Sequence, residues 1–308
     1  MLACAYCALA QEYPVRPIRV VAASAPGSGP DVIARLIAQK LTERLGQQVV
    51  VDNRAGVGGN LGAEAVARAA PDGYTLLLAM ASQAIGMTLY KNPAYDLLRD
   101  FAAIAPVAST PFVLVTHRSL PAASVPALIA LAKARPGELL FGSGGAGTPP
   151  HLCAEIFKAA ARISFVHVPY KGITPALTEL SGGQLHFAFA SMPAAMALVR
   201  GARLRALAVT TLRRSVLAPD LPSIAETLPG FEAVGWYGLV APAGTPQDVV
   251  ARLHAVTQSI VGAPEMIGQL RSQGAEPIRG TSAAFGAFIG AEIKKWSQAV
   301  KAADARAE

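Results

Sequence analysis

Apolar and polar positions along this chain switch repeatedly between two spacings. Ile18–Ala22 is a short, mostly apolar run, and Ile33, Leu36, Ile37, Leu41 and Leu45 then recur at the helical period. The first pattern predicts a buried strand. The second predicts a helix that opens at Pro30, where a missing N–H leaves no bond unmade, and stops at Gly46. Between them stands Pro26-Gly27-Ser28-Gly29. Gly27 and Gly29 let backbone N–H groups meet a ligand with no Cβ in the way. With the helix N-terminus behind them they predict an anion site, and Asp31 in the first turn complements the dipole. The rest of the chain is expected to set a second jaw opposite this loop.

The alternation continues. Gln48–Val51 predicts a strand, 52–60 a polar glycine-rich turn ending at Asn60, and Leu61–Ala70 an alanine-rich helix stopped by Pro71-Asp72-Gly73. Tyr74–Ala79 predicts a third strand. Strands alternating with helices predict an α/β fold with a parallel sheet covered on both faces. Ligands of such sheets sit beyond the carboxyl ends of the strands, here the loops Pro26–Gly29, Asn53–Asn60 and Met80–Gln83, which includes Ser82. Phe101–His117 holds two strand-like runs, and Leu120–Ala134 predicts a helix closed by Pro136-Gly137.

A second cycle follows the plan of the first. Leu139–Phe141, Ser164–Val168, Leu185–Ala190 and Leu204–Val209 read as strands, with helices over His151–Ala161, Pro175–Leu180 and Pro193–Arg200. Gly235–Ala241 predicts a returning strand, and Pro246–Val261 and Ser282–Ala303 two more helices. The division expected is nested. Residues 13–117 and 238–308 form one domain, 118–237 the other, and two crossing segments make a hinge.

Composition narrows the partners. The 308 residues carry a net charge of +7, yet Lys and Arg are scattered, and aromatics are only 6%, which argues against nucleic acid. The first ten residues are apolar and end in Ala8-Leu9-Ala10, as in a secretory signal with a small-x-small cleavage site, although no basic segment precedes them. The alternative for residues 1–12 is a disordered N-terminus. Cys4 and Cys7 make a C-x-x-C with no second pair, so no zinc or redox site is expected there. Cys153 is read as a helix-packing residue.

Gly142-Ser143-Gly144-Gly145-Ala146-Gly147 satisfies G-x-G-x-x-G between a strand and a helix. A dinucleotide site also needs an acidic residue at the end of the next strand, and Val166-His167-Val168-Pro169-Tyr170 has none. The same glycines with Ser143 and Thr148 make an anion nest. No P-loop, G-x-S-x-G elbow or carboxylate pair is present, and the five His lack metal-ligand spacing. His151 and His167 are placed to approach each other near the cleft, as structural residues. A cleft rich in Gly, Ser, Thr and Asn favours binding over catalysis. No cofactor or metal is expected, and the chain is read as a non-enzyme.

Taken together, Pro17–Val21, Pro26–Asp31, Val49–Gly62, Ala70–Leu77, His167–Gly172, Leu204–Thr210 and Gly238–Pro246 resemble the Bug family in its own order, over nearly the whole chain. These are periplasmic solute receptors associated with tripartite tricarboxylate transporters. The resemblance implies a type II periplasmic-binding-protein fold, two Rossmann-like domains joined by a two-segment hinge and closing over a small organic carboxylate. It implies that main-chain amides of the first glycine-rich loop hold one carboxylate, which points to Pro26, Gly27, Ser28 and Gly29. The second domain would supply Ser143, Gly144, Gly147 and Thr148, with Tyr170 and Lys171 as further candidates. Ser28 departs from the family's usual glycine. Ala190-Ser191 stands where many relatives carry Asp-Asn, which points away from amino acids and toward a dicarboxylate or an aromatic monocarboxylate. The membrane transporter subunits are the implied partners of a monomeric periplasmic receptor. A ligand-sensing partner of a membrane kinase is the alternative, and a nucleotide-dependent enzyme using Gly142–Gly147 a distant one.

Overall fold

The structure is a computed structural model that describes residues 13–170 and 172–306. The expected signal segment, the C-x-x-C and Lys171 lie outside the described residues. The chain opens with β1 (Ile18–Ala22), α1 (Gly29–Leu45), β2 (Val49–Asn53), α2 (Asn60–Ala67), β3 (Thr75–Met80) and α3 (Ala81–Leu89). β1 pairs in parallel with β2 on one side and β3 on the other. α1 ends at Gly46, whose φ of 67° gives the left-handed cap that glycine adopts freely.

β4 (Phe101–His117) then leads to α4 (Val125–Ala134), β5 (Leu140–Ser143), α5 (Pro149–Ala161), β6 (Val166–Pro169), α6 (Ile173–Ser181), β7 (Phe187–Ser191), α7 (Met192–Arg200) and β8 (Leu204–Val209). The chain returns through β9 (Val234–Pro242), α8 (Gln247–Val261), α9 (Pro264–Ser272), β10 (Glu276–Pro277) and α10 (Ser282–Ala302). The strand order is β2-β1-β3-β9-β4-β7-β5-β6, with β8 and β10 also pairing to β4. This is a two-lobed α/β fold of the type II periplasmic-binding-protein kind.

β4 joins the lobes. Phe101–Pro111 pairs with β9, and Phe112–His117 pairs with β7 and β8. The two runs expected over 101–117 are therefore one strand, with register shifts at 103/105 and 106/108 that absorb Pro106. The sheet is mixed rather than wholly parallel. β9 runs antiparallel to both β3 and β4, because a chain that crosses between lobes and comes back reverses direction. α3 and α9 were not predicted, and Met80–Gln83 is no loop: Met80 ends β3 and Ala81 begins α3.

Successive residues of β3 feed different layers. Leu76 and Leu78 pack with Ile33, Ile37 and Leu41 of α1, whereas Leu77 and Ala79 join the opposite layer with Ile85 and Trp236. That explains a strand apolar at nearly every position. The second layer runs unbroken into the other lobe, through Cys153 and Phe157 of α5 and Trp296 of α10, all wholly buried. Among the described residues no helix is long and apolar enough to cross a membrane.

Candidate functional site

A cleft of about 500 Å³ lies between the lobes. The first lobe contributes Gly27, Gly29, Pro30 and Val32 at the start of α1, and Met80, Ala81 and Ser82 at the start of α3. Thr110 and Phe112 of β4 with Gly235, Trp236 and Tyr237 of β9 form its floor. Pro149 of α5, Ser191 and Pro193 at the start of α7, and Gln273 and Gly274 after α9 complete it. Each of α1, α3, α5 and α7 thus turns its N-terminus to the cleft, and none of the described lining residues is charged. Unpaired N–H groups and dipoles of one sign give such a space a positive potential. Burial pushes the Tyr237 phenol above its usual pKa against an opposing hydrogen bond with Thr110, so it stays a neutral donor.

The first loop is locked by its own helix. The Gly27 N–H donates to Oδ2 of Asp31 at 2.8 Å, in a turn whose Gly27 φ is 76°. Arg35 Nε and Asn53 Nδ2 also donate to Asp31, at 3.0 and 2.8 Å. Burial alone would raise this carboxyl, but these bonds outweigh it and hold it below the usual carboxylate range. The Ser28 N–H and hydroxyl both turn back to Ala25 O, and the hydroxyl also reaches Ser24. The amides of Gly29 and Asp31 have no protein acceptor among the described residues. A Cβ at Gly29 would stand 3.8 Å from the Tyr237 hydroxyl, so the backbone there lies close to the cleft floor.

The second loop is tied by histidines. Ser143 Oγ is 2.6 Å from His167 Nε2 and accepts the Gly145 N–H at 3.1 Å. The Gly147 N–H donates to His151 Nδ1 at 3.0 Å, and the two imidazoles stack with centroids 4.0 Å apart. Burial, then the neighbouring His167 and Lys158, lower the His151 pKa to about 4. Burial and Lys158 also lower that of His167.

Of the predicted residues, Gly27, Gly29, Ser82 and Ser191 line the cleft. Pro26, Ser28, Asp31, Asn60, Ser143, Gly144, Gly147, Thr148 and Tyr170 do not. Asn60 Oδ1 accepts the Tyr95 hydroxyl at 2.7 Å beneath α3. Thr148 Oγ1 donates to Gly145 O, Tyr170 N–H donates to Ser143 O, and the Gly144 backbone packs on Gly172. These side chains build the loops and leave their faces to the backbone. Sequence reasoning missed Thr110, Phe112, Trp236, Tyr237 and Gln273. The glycine before Trp236 was the available signal, since glycine within a strand marks a close approach; a Cβ on Gly235 would meet Thr110 Oγ1 at 2.4 Å.

Among the described residues no group of His, Cys, Asp or Glu is arranged to hold a metal. Two lobes on a shared crossing strand, with a neutral cleft between them, define a periplasmic solute-binding protein of type II. Residues 33–304 match the family described as tripartite tricarboxylate transporter family receptors, and the chain belongs to that family. It is 38% identical to protein BugT of Bordetella pertussis, over 96% of this chain and 92% of that one. A structure of an R. palustris protein with adipate aligns at TM-score 0.81 and 36% identity, covering 95% of this chain and 99% of the other. A Rhodopseudomonas palustris protein with bound malate aligns at TM-score 0.76 and 28% identity, covering 94% and 100%. As a member of that family, the chain is a periplasmic solute receptor.

Proposed function

We propose that the chain captures a small organic acid, a di- or tricarboxylate or a related anion, in the interlobe cleft and presents it to the membrane subunits of its transporter. The observation that carries this reading is electrostatic. Four helix N-termini open on a cleft with no charged side chain among its described lining residues, so it attracts an anion and supplies no counter-charge. The adipate and malate held by the two similar proteins are both dicarboxylates. In this reading Gly29, Ser82 and Ser191 meet the ligand together with Thr110, Tyr237 and Gln273. Pro26, Gly27, Ser28 and Asp31 shape the first loop, and Ser143, Gly144, Gly147, Thr148 and Tyr170 the second.

The moving bodies are 13–117 with 238–308, and 118–237. The change of partners along β4 supports a hinge between them. Closure replaces the carboxylate's water by donors from both lobes. Hydrogen bonds to charged groups contribute about 1.5–3 kcal/mol each, so a few suffice for roughly micromolar affinity. Cleavage of an export signal after Ala10 belongs to the same reading.

A thermal-shift series on the chain from Gln11, with organic acids and NAD(H) side by side, tests it. Ligand at a hundredfold excess over Kd adds about 2.7 kcal/mol of apparent stability. A shift with organic acids and none with NAD(H) supports the receptor. A shift with NAD(H) alone overturns it in favour of a site at Gly142–Gly147.

A further inference from the structure

The starts of α1 and α3 leave more backbone donors unpaired than the loop that opens α5. In the second lobe the Gly145 and Gly147 amides are taken by Ser143 and His151, and Pro149 and Pro150 carry no N–H. In the first lobe the amides of Gly29, Asp31, Ala81 and Ser82 have no protein acceptor among the described residues. Beside them the Ser82 hydroxyl is buried with no hydrogen-bond partner. A buried donor without an acceptor is costly, and one beside free amides at the edge of a cleft marks the seat of a ligand atom.

The same surface offers nothing to a cation. No Asp or Glu occurs among the described lining residues. Asp31, the acid on the first loop, is 2% exposed and closed off by Gly27, Arg35 and Asn53. An ammonium group held here would face helix N-termini of its own sign with no carboxylate to offset them.

We infer that the cleft selects carboxylates that carry no amine, and that Ser82 is the hydroxyl that fixes the charged end against α1 and α3. This rests on the reading of the cleft as the carboxylate site. Amino acids are then excluded by two features at once, the positive dipole ends and the sequestered Asp31. Phe112, Pro149 and Pro193 give the cleft an apolar wall, which suits a short apolar chain.

Titration calorimetry with succinate, glutarate and adipate against aspartate, glutamate and 2-aminoadipate compares acids of equal length with and without the amine. The amine-free series is expected to bind, with each amino acid at least about a hundredfold weaker than its parent. Ser82→Ala is expected to weaken the bound dicarboxylate about tenfold or more, the loss of one hydrogen bond to a charged group. The melting temperature of the unliganded variant should match the parent, because no protein bond is removed. An amino acid bound as tightly as its parent, or undiminished affinity in Ser82→Ala, overturns the inference while leaving the carboxylate site in place. If no acid of either series binds, the carboxylate reading of the cleft fails, and the inference with it.

Discussion

Asp31 holds Gly27: its carboxylate accepts the glycine N–H at 2.8 Å across the turn that opens α1. The glycine amide that looked free to take a ligand is therefore the one that fixes the loop. What remains for an anion is the next pair of amides, at Gly29 and Asp31 itself. Removing the carboxylate leaves the Gly27 N–H without its acceptor and Asn53 Nδ2 with only Ser24 O. Asp31→Ala should lower stability by about 1–3 kcal/mol in urea unfolding and weaken ligand binding through the loosened loop. Arg35→Ala should cost less than about 1 kcal/mol, since the arginine side of that ion pair is 55% exposed.

The stacked His151 and His167 predict a response to acid. The folded state holds His151 neutral, with its pKa lowered from 6.5 to about 4. Between those values the unfolded chain binds the extra proton. The contribution is thus complete above pH 6.5 and lost as pH falls toward 4, amounting to about 3 kcal/mol in all. Urea unfolding at pH 7.5, 5.5 and 4.5 should show the decline. His151→Asn, whose side-chain oxygen still accepts the Gly147 N–H, should flatten it.

The two tryptophans report on different places. Trp236 borders the cleft, whereas the Trp296 indole N–H donates to Glu292 within α10 at 2.9 Å. Ligand should change the intrinsic fluorescence of the parent and of Trp296→Phe equally. Trp236→Phe should abolish the change.

The lobes touch at two glycines. A Cβ on Gly274 would stand 2.5 Å from Pro193, and one on Gly147 2.6 Å from Leu89. Gly274→Ala should therefore hold the lobes apart, raising the radius of gyration in small-angle scattering with ligand and lowering affinity. Gly46→Ala is the matched control. Its φ of 67° is close to the 69° of Gly274, and nothing lies within 4 Å of the added Cβ. Both should lose about 1 kcal/mol of stability from backbone strain, and only Gly274→Ala should lose ligand.

Local chemistry was legible and convergence was not. β1, the turn and α1 follow from an apolar run, two glycines, a helix-period stripe and Gly46, all contained within neighbouring residues. α3 was hidden because its alanine, glycine and methionine positions give no clear stripe. Ser143 and Thr148 carry the donors that an anion nest calls for, yet they bond within their own loop. Whether a hydroxyl turns inward or outward depends on contacts distant in sequence, such as Ser143 with His167. Thr110, Trp236 and Tyr237 reach the cleft only because the chain crosses between lobes twice, which no single segment records.

The place of β9 has a consequence for biogenesis. It sits between β3 and β4, and α10 behind it packs on both α3 and α5. The centre of the sheet thus waits for residues beyond 234, and the shared core for those beyond 282. A chain that emerges N-terminus first completes neither the sheet nor the shared core until nearly all of it is available. Its last segment acts as a clasp that closes both the sheet and the shared core.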